Sequence, residues 1–446
     1  MPMVFFQEPK ETALEAAQRK CAEREAELGS EHLDLVKPLR ALMMIHYGQA
    51  MYGKAEKLCR RILFIQEKSL GSGHPDVALS LNNLGVFLKA QGAYAEARPL
   101  YERALVIWEE AVGPEHPDVA MTLSHFAELL TAEGSYAEAR PLYERALAIF
   151  KKTFGPEHLD VALALNNLAV LLKTQGSYAE ARPLYERALA IAEKILGPEH
   201  PNVAVALNNL ASLLQAQGSY AEVRTLYERA LEIFEKVYGL EHPRVALALN
   251  NLASLLIAQG SSIEAQPLYE RALTIREKSL GLEHLDVAIS LNNLALLLET
   301  DGFHEEARPL YERSMAIREK SFGHDHPHVA TGLNNLAALL TTQGSYAEAR
   351  PLFERALAIR KKSFGPDHPD VTRLLHNLAN LLQVQGAYAE SRPLHEQSLR
   401  GTLRHLRLNM RLMTEAERFQ YLATKRGPEL LLLNLVAMRG EGPDKD

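Results

Sequence analysis

One residue recurs through this chain at a fixed interval. His32, His74, His116, His158, His200, His242, His284, His326 and His368 are each 42 residues from the next, and the residues around them recur with the same spacing. The clearest copy is GPEHLDVALALNNLAVLLKTQGSYAEARPLYERALAIAEKIL, from Gly155 to Leu196. A repeat of this length is one supersecondary unit that cannot bury its apolar face alone, so its copies must stack on their neighbours. The 446 residues therefore predict one solenoid array and not the three or so domains that length alone would suggest.

Within each unit the apolar spacing is helical. Leu81, Leu84, Gly85 and Leu88 fall on one stripe of a first helix, A, with Pro75 and Asp76 placed where a helix start favours proline and negative charge. Gln91-Gly92, repeated as Gln175-Gly176, Gln217-Gly218, Gln259-Gly260, Gln343-Gly344 and Gln385-Gly386, marks its end. The second helix, B, buries Ala139, Tyr143, Ala146, Leu147 and Ile149. Ser135 with Glu138, Ser177 with Glu180, Ser219 with Glu222 and Ser345 with Glu348 have the spacing of a capping box at its start. Pro141, Pro183, Pro267, Pro309 and Pro351 lie about six residues into helix B, where each removes a backbone bond and is expected to kink the helix slightly. Arg140 and Glu144, four apart, are expected to pair across solvent. Residues 1–32 read as an N-terminal capping helix, residues 33–400 as about nine helix pairs, and residues 401–446 as C-terminal capping helices with a polar tail.

Several function classes drop out. A net charge of −7 argues against a surface that tracks nucleic-acid phosphates. The longest C-terminal apolar run, Leu430 to Met438, is far short of a bilayer span. The start, MPMVFFQEPK, has no basic stretch followed by a long apolar one, so a cytoplasmic protein that binds neither membrane nor nucleic acid is expected. Two cysteines, Cys21 and Cys59, are too few for a disulfide framework and have no patterned partner for nucleophilic chemistry. The connector histidines stand on separate repeats, so a helix-start role is expected and a metal site is not. No phosphate loop, zinc-protease motif or nucleophile elbow is present, and no enzyme activity, metal or cofactor is expected.

The pattern Leu81-x2-Leu84-Gly85-x2-Leu88 followed by Ala97-x3-Tyr101-x2-Ala104 resembles the tetratricopeptide repeat. That repeat usually has a period of 34, so each unit here is eight residues longer. With NNLA in helix A and PLYERAL in helix B, it looks like the long form found in kinesin light chains. The resemblance covers most of the chain. It implies an all-α, right-handed α-solenoid that binds a partner protein or peptide in its concave groove, lined by helix A. No heptad region for pairing with a motor heavy chain is visible, so the light-chain function does not carry over. Similar arrays in bacteria often precede a caspase-like peptidase, and Met413–Met438 resembles the linker leading into one. That supports an alternative reading, a regulatory sensor subunit of a peptidase or signalling enzyme carried on another chain.

On a helical wheel Leu79, Asn82, Asn83, Val86 and Ala90 occupy the arc facing away from helix B. The Asn pair recurs as Asn166 and Asn167, Asn208 and Asn209, Asn250 and Asn251, Asn292 and Asn293, and Asn334 and Asn335, with Asn377 in the last unit. Each amide offers donor and acceptor, so a ladder of them suits the backbone of an extended peptide. The competing reading is that they brace adjacent repeats. Here the second Asn of each pair is expected to face the ligand and the first to hold the next repeat. The remaining groove positions are mostly neutral, including Val170, Thr174, Ser212, Ala216, Ser254, Ala258, Leu296 and Ala338. Charges are few, at Lys89, Lys173, Glu128, Glu299 and Arg373, and no cationic clamp for a peptide carboxylate is apparent. The expected ligand is an uncharged or mildly apolar segment. Two units differ, Ser124-His125-Glu128 and His376-Asn377-Asn380. A monomer is expected, with self-assembly through a poorly capped end as the rival.

Overall fold

The computed structural model describes residues 13–410 except 50 and 367. Among them are nineteen α-helices and no strand. The first is α1 (Ala13–Leu28); a 3-10 turn over Leu33–Leu35 then leads into α2 (Val36–Gly48) and α3 (Tyr52–Leu70). From there A helices of 16 residues alternate with B helices of 19. The A helices are α4 (Pro75–Ala90), α6 (Pro117–Ala132), α8 (Leu159–Thr174), α10 (Pro201–Ala216), α12 (Pro243–Ala258), α14 (Leu285–Thr300), α16 (Pro327–Thr342) and α18 (Pro369–Val384). The B helices are α5 (Tyr94–Val112), α7 (Tyr136–Phe154), α9 (Tyr178–Leu196), α11 (Tyr220–Tyr238), α13 (Ser262–Leu280), α15 (His304–Phe322), α17 (Tyr346–Phe364) and the longer α19 (Tyr388–Met410). The chain is thus an all-α solenoid of helix pairs. The segment Met413–Met438 lies outside the described residues.

The chain divides into two compact units, residues 1–125 and 126–446. Within each, a B helix packs on its own A helix and on the next. Small residues let the backbones approach. In the second unit Ala169, Ala211, Ala253, Ala295 and Ala337 of the A helices and Ala181, Ala265 and Ala349 of the B helices are fully buried. Around them lie Leu and Val from the A helices and aromatic rings from the B helices, such as Tyr269, Tyr311 and Phe353. The core is continuous across repeats.

Helix ends follow two rules, one legible in the sequence and one not. Each connector histidine from His74 onward precedes its A helix, His32 precedes the 3-10 turn, and in every case Nδ1 accepts a hydrogen bond from the N–H two residues on at 3.0–3.3 Å. An accepting Nδ1 means a neutral imidazole with its proton on Nε2. The expected capping boxes do not form. Ser135, Ser177, Ser219 and Ser345 make no side-chain cap bond, because their ψ of 54–58° is outside the extended region a side-chain cap requires. The backbone closes the turn instead. Ser135 N–H donates to Leu130 O at 2.8 Å, while its carbonyl accepts from Glu138 and Ala139. Ala93 and Phe303 hold the same conformation, so the hydroxyl is dispensable. Gly134 and its counterparts supply the positive φ (77° at Gly134) that reverses the chain. The B helices run uninterrupted through Pro99, Pro141, Pro183, Pro267, Pro309, Pro351 and Pro393.

Candidate peptide-binding face

The ladder asparagines bond to one another across repeats with a fixed direction. In the second unit the second Asn of one pair donates to Oδ1 of the first Asn in the preceding repeat. Asn209 reaches Asn166 at 2.7 Å, Asn335 reaches Asn292 at 2.9 Å and Asn377 reaches Asn334 at 2.8 Å. Asn251 to Asn208 and Asn293 to Asn250 are longer, 3.4 and 3.5 Å. In the first unit His125 takes the second-Asn position, with Nδ1 3.1 Å from Asn82 Oδ1. Asn167 and Asn83 make no such bond. The position one repeat before Asn166 holds Ser124 in the sequence, not an amide. The position that would receive Asn83 is Arg40.

The two members of a pair differ in depth. Asn82, Asn208, Asn250 and Asn334 are buried, and Asn166 and Asn292 are partly so. Asn83, Asn167, Asn209, Asn251, Asn293, Asn335 and Asn377 are all half-buried. A second-position amide has two N–H groups and an oxygen, and the ladder uses one N–H. Beside it α8 and α14 open to solvent. On α8 the exposed line is Leu163, Asn167, Val170 and Thr174, spaced as one helix face. Leu163 is 58% exposed and Leu296 52%, with Met121, Val170 and Ile289 also open. Val170 and Leu296 were readable as groove residues from the wheel. Leu163 and Ile289 share the 42-residue spacing of Leu79, which is the signal that identifies them.

The few groove charges are engaged within the protein. Lys173 donates to Ser212, Glu299 accepts from the Tyr311 hydroxyl at 2.7 Å, and Arg373 pairs with Asp370 at 3.0 Å. Burial pulls the Lys173 ammonium below its usual range. The B helices carry a different surface. Arg140 bonds Glu144 of its own helix at 2.8 Å, as expected, and Glu180 of the next B helix at 2.9 Å. Arg308 with Glu312 and Glu348, and Arg350 with Glu354 and Glu390, repeat that arrangement. Consecutive A helices of the second unit also pack directly, α8 on α10, α10 on α12, α12 on α14 and α16 on α18. Consecutive B helices are joined mainly by these long side chains.

Neither cysteine is poised to react. Cys59 donates to Ser80 O, and burial pushes its thiol up to about 12; burial also raises Cys21. Among the described residues no three His, Cys, Asp or Glu side chains converge on a point, and no helix is long and apolar enough to cross a membrane.

The tetratricopeptide repeat model matches in eight overlapping windows, from residues 34–105 to residues 328–403. Among solved structures, the chain is similar to a kinesin light chain-like protein of nearly identical TPR-like repeats from Podosopora anserina, at 32% identity over 46% of this chain and 98% of that one, with a TM-score of 0.39. BtubC (BKLC) from P. vanneervenii matches at 26% identity over 53% of this chain and 92% of that one, TM-score 0.41. A Rap protein complexed with Competence and Sporulation Factor matches at 14% identity over 82% and 99%, TM-score 0.46. No protein of curated function matches. The chain belongs to the tetratricopeptide repeat family, in the 42-residue form of kinesin light chain-like proteins.

Proposed function

We propose that this protein is a non-enzymatic scaffold that holds an extended, uncharged or mildly apolar segment of a partner protein against the A-helix face of its second unit. One observation carries the reading: a half-buried amide on each A helix from α8 to α18, flanked by exposed Leu163 and Val170 on α8 and by exposed Ile289 and Leu296 on α14, on a face where Lys173, Glu299 and Arg373 are already paired. The amides would satisfy the peptide backbone and the apolar side chains would cover its residues. The opposite face, with Arg and Glu pairs joined repeat to repeat, has little unpaired charge to offer. Two unpaired cysteines accord with a cytoplasmic setting.

The test must separate ligand contact from bracing. Asn167 makes no ladder bond, so the triple variant Leu163→Ser, Asn167→Ala, Val170→Ser alters the groove and leaves the bonded amides intact. Partner capture, quantified by mass spectrometry against the wild type, is expected to fall at least about tenfold, equivalent to some 1.4 kcal/mol. Arg308→Ala on the B face is expected to leave capture unchanged. Both should retain the helical circular dichroism. Equal capture by all three proteins would refute the reading.

A further inference from the structure

The A-to-B turns and the B-to-A connectors lie on opposite edges of a helix-pair ribbon. In the second unit one turn meets one connector far along the chain. A Cβ placed on Gly134 would lie 3.3 Å from both Cδ2 and Nε2 of His368. Their A helices, which start at Pro117 and Pro369, are six repeats apart. The equivalent glycines Gly218, Gly260, Gly302, Gly344 and Gly386 have nothing within 4 Å. Gln175 and Ser177, in the next turn, are only 7% and 9% exposed, whereas Gln217, Gln259 and Gln385 are open.

We propose that the second unit is latched: the turn between α6 and α7 docks on the start of α18, and this seam closes six repeats into one complete superhelical turn. Tyr136 belongs to the seam. Its hydroxyl is pushed up first by burial and then by the charge of Asp370, which Arg360 and Arg373 hold at 3.0 Å each. With the edges in contact, no slot opens between successive turns. A segment reaching the A-helix face then enters from an end of the turn as an extended chain, a consequence that rests on the function proposed above.

The array contains its own control. His242 and His368 both cap an A helix at 3.1 Å, and both stack on a B-helix ring at 4.3 Å, Tyr238 and Phe364. They differ at Nε2, which faces Gly134 only in His368. Carbethoxylation of the folded full chain with diethyl pyrocarbonate at neutral pH, mapped by mass spectrometry, should modify His368 several-fold more slowly than His242. Equal rates would overturn the proposal on the unmutated protein. Tyr136→Asp sets a carboxylate against Asp370 and should raise the His368 rate to that of His242 and enlarge the maximum dimension in small-angle scattering. Tyr136→Lys and the matched Tyr220→Asp should leave both readouts as in the wild type. If Tyr220→Asp expands the molecule as much as Tyr136→Asp, the effect is general damage to a turn and the seam is refuted. Neither readout involves a ligand, so failure of the seam leaves the groove reading standing.

Discussion

At the scale of residues, the histidine that announces the repeat serves as a helix cap, and its proton balance follows from that role. The cap at His368 requires a neutral imidazole, because a protonated ring cannot accept the backbone N–H of Asp370. His368 is held down to about 4, first by burial and then by Arg360 and Arg373 against the opposing charge of Asp370. An unfolded histidine takes up its proton near 6.5, so between about 6.5 and 4 the unfolded chain binds one more proton than the folded one at this site. The stability this neutral group confers is complete above about pH 6.5 and is lost as the pH falls towards 4. His368→Asn keeps a good capping residue and removes the titration. Its urea midpoint should therefore decline less than that of the wild type between pH 7 and 4.5; parallel declines would refute the assignment. The sequence showed that these histidines start helices, because their spacing from Pro75 and its counterparts is fixed. It did not reveal how the B helices are capped. Ser135 and Glu138 have the right spacing, but the turn places Ser135 at a ψ that turns its hydroxyl away from that use.

At the scale of elements, helix positions and buried stripes were legible because both follow from the 3.6-residue period and the glycine stops. Ala139, Tyr143, Ala146, Leu147 and Ile149 are all buried, as the stripe requires. The ladder's direction was not legible. Its partners are 43 residues apart, one repeat plus one residue, and that offset depends on how adjacent A helices slide when they stack. The helix-B proline is a separate element-scale question. Thr225 occupies its position in α11, which has the same length as its neighbours, so the helix does not need the ring. Pro183→Ala returns a backbone donor and a better helix former, and should stabilise the protein by about 1 kcal/mol or more in urea unfolding. A loss of stability would show that the proline ring packs in a way the helix depends on.

At the scale of the molecule, the repeat period dictated a solenoid, while the contrast in the second unit between directly packed A helices and ion-paired B helices became legible only in the structure. The seam had no sequence signal, since pitch accumulates from small rotations between repeats that no single residue encodes. In the proposed function the A face of the second unit, and not its ion-paired B face, receives the partner. Its most direct test places a photo-crosslinking amino acid at Val170 or Leu296 on the A face, and at Glu186 on the B face, in the full chain in cells. A covalent partner adduct is expected from positions 170 and 296 and none from 186. An adduct from 186 with none from 170 or 296 would contradict the proposed function.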